Sequence, residues 1–150
     1  MARNDWVTFE EFGLDVSNGE HNLGGDTFSV RLLNNDATVP VAGTATPRWA
    51  DFSANECTQG GGYTTGGEVL TGTSTAEAAG VTTFDATENP TWAATAGSPE
   101  DIYWAVLVND SAAAAQCVGF LDMGGPVSMV DGNVSITWHA SGILTVTVSA

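Results

Sequence analysis

Alternating apolar and polar residues mark several β-strands along this chain. Residues 28–32 alternate between large apolar side chains and polar ones, which predicts a strand with one face in the core. Residues 134–139 and 144–149 alternate in the same way, and the turn-forming segment 139–142 separates them. The pattern therefore predicts that the last two strands pair as a β-hairpin with a four-residue loop.

The most apolar segment of the chain is Ile102–Val108, in which every residue is apolar. A continuous run of this length is typical of a strand that is covered on both faces. Asn109–Ser111 ends the run, and Cys117–Leu121 follows after an alanine-rich connection at 112–115. We expect these two apolar segments to pair as antiparallel strands.

The first 26 residues permit two interpretations, a possible N-terminal arm or a short helix. Trp6, Phe9, Phe12 and Val16 recur at helical spacing, but Gly13 disfavours a helix and residues 12–16 also alternate as in a strand. We favour one short helix that ends near residues 18–19.

Turn-forming residues divide the middle of the chain into short elements. Residues 34–47 are predicted to form a loop or a broken edge strand, and the glycine-rich Gln59–Gly67 a surface loop. Val69–Thr71 and Val81–Phe84 resemble short strands joined by a Ser/Thr/Ala/Gly-rich connection.

Together these elements predict a mainly β protein. Residues 1–150 form one domain, an antiparallel β-sandwich or jelly-roll-like fold with at most one short N-terminal helix. The predicted core includes Phe28, Val30, Val106, Val108, Phe120, Ile136 and Val146.

The charge of the chain excludes several classes of partner. The chain contains eighteen acidic residues and only three basic ones, and its net charge is −15. Such a surface repels phosphate backbones and anionic lipid, so we expect no nucleic-acid partner and no membrane partner. No stretch approaches the roughly 20 apolar residues of a membrane helix, and the N-terminus has no apolar run of signal-peptide length.

Candidate chemistry is sparse. Cys57 and Cys117 lack the spacing and the nearby histidines of a zinc site, so we interpret them as semi-buried thiols, with a disulfide formed outside the cell as the alternative. His21 and His139 lie in predicted turns and are expected to be exposed. No G-x-S-x-G elbow and no D-x-D-x-D-G calcium series occurs, so we expect a non-enzymatic protein without a cofactor or a metal.

Aromatic residues in loops supply the candidate interface. Trp104 and Trp138 lie within strand patterns and are expected in the core, whereas Trp49 and Trp92 lie next to loops that contain proline. Loop aromatics are enriched at protein interfaces. The predicted contact residues are Trp49, Gly61, Gly62, Tyr63 and Trp92.

Five segments of the chain resemble one family. They are HNLGGDTFSVRLL (His21–Leu33), GGGYTTGGEVLTG (Gly60–Gly72), FDATENPTW (Phe84–Trp92), IYWAVLVND (Ile102–Asp110) and GFLDMGGPVS (Gly119–Ser128). In this order they are similar to the motifs of small virion structural proteins of tailed bacteriophages. The resemblance covers most of the chain and rests on structural residues.

The resemblance implies a non-enzymatic virion protein made in the cytoplasm of a bacterial host. We expect a capsid decoration (cement) protein on the capsid surface, docked on the major capsid protein or other virion proteins. A homo-oligomer, either a dimer or a trimer, is the expected state. The alternatives are a head–tail or tail structural component, and a glycan- or receptor-binding β-module that uses Trp49 and Trp92.

Overall fold

Strands make up most of the regular structure in the computed structural model, which describes residues 6–35 and 38–148. The strands are β1 (Trp6–Thr8), β2 (Phe28–Leu33), β3 (Glu68–Val69), β4 (Ser74–Ala78), β5 (Val81–Asp85), β6 (Thr91–Trp92), β7 (Ile102–Asn109), β8 (Cys117–Val127), β9 (Val134–Ser135) and β10 (Leu144–Thr147). The helices are α1 (Phe12–Ser17) and α2 (Trp49–Phe52), and a 3₁₀ turn (Ser53–Asn55) follows α2.

The strands form three antiparallel sheets. The main sheet has the order β1-β8-β7-β2-β3, a second sheet has the order β10-β5-β4, and β6 pairs with β9. The predicted pairing of the apolar run with the following segment is confirmed, since Val106 lies opposite Phe120 in the β7–β8 ladder. β2 pairs with the other edge of β7, which places the apolar run in the middle of the sheet.

The main sheet is buried on both of its faces. One face carries Phe28, Val30 and Leu107 into a large core cluster that also holds residues of the two smaller sheets. The opposite face carries Val106 and Phe120 into a second cluster with residues of the N-terminal segment and α2. The continuous apolar sequence of β7 follows from this two-sided burial.

The two layers of the first cluster are in direct contact. The ring of Phe28 on β2 packs against that of Phe84 on β5, with centroids 5.2 Å apart. This arrangement is the expected mainly β, sandwich-like single domain. Six of the seven predicted core residues are buried, but Val146 is wrong: its side chain on edge strand β10 is 42% exposed.

The predicted terminal hairpin is wrong. β9 pairs with β6, and β10 pairs with β5, so the last two strands belong to different sheets. The loop between them contains a turn of its own, in which the Gly142 N–H donates to the His139 carbonyl at 2.8 Å. Alternation does not fix a strand's partner, and in edge strand β10 the alternating apolar positions are not buried either.

The small-residue connection predicted between two strands is itself mostly a strand. β4 pairs with β5 along its whole length, and Ala79 and Gly80 form the two-residue turn between them. Both turn residues have positive φ, 52° and 81°, as a type I′ hairpin turn requires. Every residue of β4 is exposed, so the sequence carried no apolar alternation to reveal it.

Of the two interpretations of the N-terminal segment, the short helix is present as α1, and Asn18 caps its C-terminus as expected. Residues 6–26 also contribute β1, which pairs with β8. Residues 1–5 of the predicted arm lie outside the described ranges. The single turn of α2 is a second helix beyond the one that was expected, and it buries Phe52.

Candidate interaction surface

Two of the predicted contact residues lie in the core. Tyr63 is 1% exposed and Trp92 is 3% exposed, with ring centroids 6.4 Å apart. The Tyr63 hydroxyl accepts a hydrogen bond from the Leu32 N–H at 3.1 Å and donates one to a Glu56 carboxylate oxygen at 2.8 Å. The prediction that Tyr63 and Trp92 form a contact surface is therefore wrong, because tertiary contacts cover both loops.

The glycines of the predicted contact loop approach this chain's own backbone. A Cβ atom at Gly61 would overlap Ser98, and one at Gly62 would overlap the carbonyl of Ala93. The Gly62 N–H donates to the Ser98 hydroxyl at 2.7 Å. These two glycines therefore serve a close packing of loops within the domain.

Trp49 alone among the predicted aromatic contacts remains partly exposed. It lies at the start of α2 and packs against the second core cluster. The guanidinium of Arg31 lies over its ring, 4.6 Å from the centroid, and the same guanidinium pairs with Asp110. One face of the indole is therefore already occupied by a cation of this chain.

The described residues form an open groove that we call the Trp6–Trp138 groove. Its volume is about 660 Å³. β1, β8 and the segment from Ser135 to Ile143 supply its walls. It is lined by Trp6, Leu121, Met123, Ser135, Ile136, Thr137, Trp138, His139, Ala140, Gly142 and Ile143.

The two tryptophans form one corner of the groove. Their ring centroids lie 5.6 Å apart with the planes at 85°, an edge-to-face pair. Trp138 is held by two hydrogen bonds: its backbone N–H donates to Asn89 Oδ1 at 2.9 Å, and its indole Nε1–H donates to the Glu88 carbonyl at 3.3 Å. Trp6 lies on edge strand β1. Both rings are half-buried, so the groove has a fixed aromatic wall that solvent reaches.

The sequence did not single out this groove. The spacing of Trp6 suggested a helix, and the alternation around Trp138 suggested a fully buried side chain. Trp138 does pack against the first core cluster, but only partly. The available signal was the position of Trp138 directly before the predicted turn. This position does not reveal which strand lies opposite the tryptophan.

A hydrogen-bonded polar network surrounds His21. The expected exposure of His21 is wrong: the residue is 4% exposed, and its ring stacks on that of Phe12, with centroids 5.5 Å apart. His21 Nδ1 lies 3.0 Å from the side-chain nitrogen of Asn109, which also donates to Asp26 at 2.7 Å. On the other side, Nε2 lies 3.8 Å from Asp15. His21 is buried because the side chain of Asn109, at the end of β7, packs against this turn and contacts both His21 and Asp26.

The hydrogen bonds of Asn109 indicate which tautomer the neutral ring of His21 adopts. Asn109 Oδ1 accepts from the N–H groups of Ser111 and Ala112, at 2.9 and 3.2 Å, so its NH₂ group must face His21. This arrangement favours the neutral tautomer in which Nδ1 accepts and Nε2 carries the proton. Nε2 lies 3.8 Å from Asp15 and has no hydrogen-bond partner among the described residues. Burial lowers the pKa of His21 despite the nearby carboxylate of Asp15, which raises it.

The remaining candidate nucleophiles and ligands are isolated. Cys57 and Cys117 are free and buried, and burial raises the pKa of both thiols, that of Cys57 to about 12. His139 is exposed as expected, and its Nδ1 accepts from the Ser141 N–H at 3.1 Å. Within the described residues, no three His, Cys, Asp or Glu side chains come together as a metal site.

Both arginines in the described part of the chain are paired internally. Arg31 pairs with Asp110, and Arg48 lies 3.4 Å from Asp15 and 3.8 Å from Glu11. With a net charge of −15, the domain presents an acidic surface to any partner. The net charge disfavours an anionic ligand.

Helices α1 and α2 are short, and neither is a candidate for crossing a membrane among the residues described. In comparisons with known proteins, no family model, no curated protein and no solved structure matches this chain.

Proposed function

We propose that this chain is a virion structural protein of a tailed bacteriophage that decorates the capsid and docks on the major capsid protein. The motif resemblance supports this role, and so does the way the motif residues are used. His21 and Asp26 of the HNLGGD motif join Asn109 of the IYWAVLVND motif in one network, in which His21 and Asn109 are buried and Asp26 is half-buried. These residues hold elements together, as expected of a structural part.

The observation that carries the proposal is a contrast: the His21–Asp15 pair is buried, whereas the Trp6–Trp138 groove is open to solvent. His21 and Asp15, the histidine–carboxylate pair with catalytic residue types, are both buried among internal partners. The Trp6–Trp138 groove, in contrast, offers aromatic and aliphatic side chains to solvent. Half-buried tryptophans in a pocket are the typical anchors of protein interfaces.

The charge of the domain fits a protein partner with a basic rim. Opposite charge on the shell would speed docking and fix its orientation, while the outer face of a shell has no need to touch DNA. A closed symmetric dimer or trimer on the capsid surface is the assembly that we propose. The protein would be made in the bacterial cytoplasm before it joins the particle.

A binding experiment with particles tests this proposal. Particles made without the chain should bind the purified protein at a fixed number of sites per shell. They should then withstand a heat or osmotic challenge better than bare particles. The proposal is wrong if bare particles bind none of the added protein and withstand the challenge equally well with and without it.

A glycan-binding module is the second candidate, and the same groove favours it. Ser135 and Thr137 line the groove together with Trp138, and hydroxyl groups combined with an indole suit a neutral sugar. The predicted platforms no longer support this function, because Trp92 is buried and Arg31 covers Trp49. A glycan screen of the free domain separates the two candidates, since a decoration protein gives no hit.

A further inference from the structure

The Trp6–Trp138 groove has an aromatic corner formed by two tryptophan rings. An edge-to-face pair leaves a corner in which a flat group contacts the face of one ring and the edge or face of the other. The two indole planes are at 85°, and their centroids are 5.6 Å apart. Leu121, Met123 and Ile143 extend the corner with an aliphatic floor. A side chain with a long apolar stem and a planar cationic head matches both parts.

The charge of the whole chain favours the same kind of group, although no aspartate or glutamate among the described residues lines the groove itself. No arginine or lysine lines the groove in the part of the chain that the structure describes, and Arg31 and Arg48 are held by carboxylates elsewhere. The net charge of −15 favours a cation over a neutral or anionic group at this surface.

This domain already contains the contact in question. The Arg31 guanidinium lies over the Trp49 ring at 4.6 Å, and it is held there by Asp110. Arginine suits such a site better than lysine because its guanidinium is planar and weakly hydrated, so that it stacks on an indole at a lower desolvation cost. Trp49 packs on the second core cluster and Trp138 on the first, so the two sites lie on opposite sides of the main sheet.

We propose that the Trp6–Trp138 groove binds an arginine-bearing segment of a partner protein. The guanidinium stacks in the corner of Trp6 and Trp138, and the apolar stem lies along Met123. This inference deepens the proposed function, since the shell protein would supply the segment. It is tested on the free domain, so that its failure is distinct from failure of the decoration role.

A titration with a blocked pentapeptide, Ac-Gly-Leu-Arg-Leu-Gly-NH₂, tests the groove directly. In two-dimensional ¹H–¹⁵N spectra, the indole signals of Trp6 and Trp138 should shift and saturate, while that of buried Trp92 stays in place. The same peptide with citrulline in place of arginine keeps the shape and loses the charge. It should bind roughly tenfold more weakly. Raising NaCl from about 0.1 M to about 1 M should weaken the arginine peptide alone.

Trp138→Ala should abolish the saturable shift, and the matched control Trp49→Ala should leave it unchanged. If Trp138→Ala does not fold, Trp138→Leu keeps an apolar side chain without the indole face and serves instead. The inference is overturned if the two peptides bind equally, if a folded Trp138 variant binds like the wild type, or if only neutral sugars shift these signals. Particles that still bind the domain in those cases would leave the decoration role standing.

Discussion

Replacing Tyr63 by phenylalanine removes one hydroxyl from the core and leaves the ring in place. That hydroxyl is the acceptor for the buried Leu32 N–H and the donor to Glu56. Glu56 keeps the hydrogen bond from the Gly66 N–H, at 2.6 Å, but the Leu32 N–H loses its acceptor. An unsatisfied buried donor costs about 1–3 kcal/mol. A loss of about 2 kcal/mol lowers the Tm of a domain of this size by roughly 4–8 °C.

Urea unfolding followed by tryptophan fluorescence measures this loss. The matched control is Tyr103→Phe, because Tyr103 is half-buried and its hydroxyl has no hydrogen-bond partner among the described residues. The control should change the free energy of unfolding by less than about 0.5 kcal/mol. Equal unfolding midpoints for the two variants would refute the role of the Tyr63 hydroxyl as the acceptor for the buried Leu32 N–H.

Four further predictions follow from particular contacts. Because burial lowers the pKa of His21 below the 6.5 of the unfolded chain, its contribution to the free energy of unfolding should be steady above that pH and fall as the pH drops below it; a His21→Gln variant that shows the same slope would contradict this. Ala79→Asn creates an Asn–Gly type I′ turn and should stabilise the domain by about 0.5–1 kcal/mol in urea unfolding, and an unchanged midpoint would contradict the strain at this position. Cys57 and Cys117 are buried with raised pKa values, so iodoacetamide should modify them only after denaturation, as mass spectrometry would show; rapid labelling of the native protein would contradict their burial. The Tm should rise between about 0.1 M and 1 M NaCl because salt screens the repulsion of 18 acidic residues, and a flat or falling Tm would count against that repulsion.

The central strands β2, β7 and β8 of the main sheet were predictable because burial is reflected directly in their sequences, whereas β1 was expected to be part of a helix. The apolar run of β7 reflects two covered faces, and the alternation in β2 reflects one strongly apolar face. The β7–β8 pairing followed from the short connection between them. In contrast, β4 is exposed along its length and carried no such trace.

The candidate surface was less predictable because it depends on contacts between distant segments. Trp92 follows Pro90 by two residues and resembles a loop residue, but β6 pairs with β9 and buries it. His21 lies in a turn, and the partner that encloses it, Asn109, comes 88 residues later. Trp6 and Trp138 meet from opposite ends of the chain. The local sequence pattern cannot specify such long-range contacts, because they depend on the tertiary arrangement of the strands.

A cryo-EM map of the phage particle tests the decoration role most directly. The account predicts density for this β-domain on the outer capsid surface, repeated with the capsid symmetry, with the Trp6–Trp138 groove facing the major capsid protein. Density for the domain confined to the tail or to the head–tail junction, or a particle that lacks the domain altogether, would contradict it.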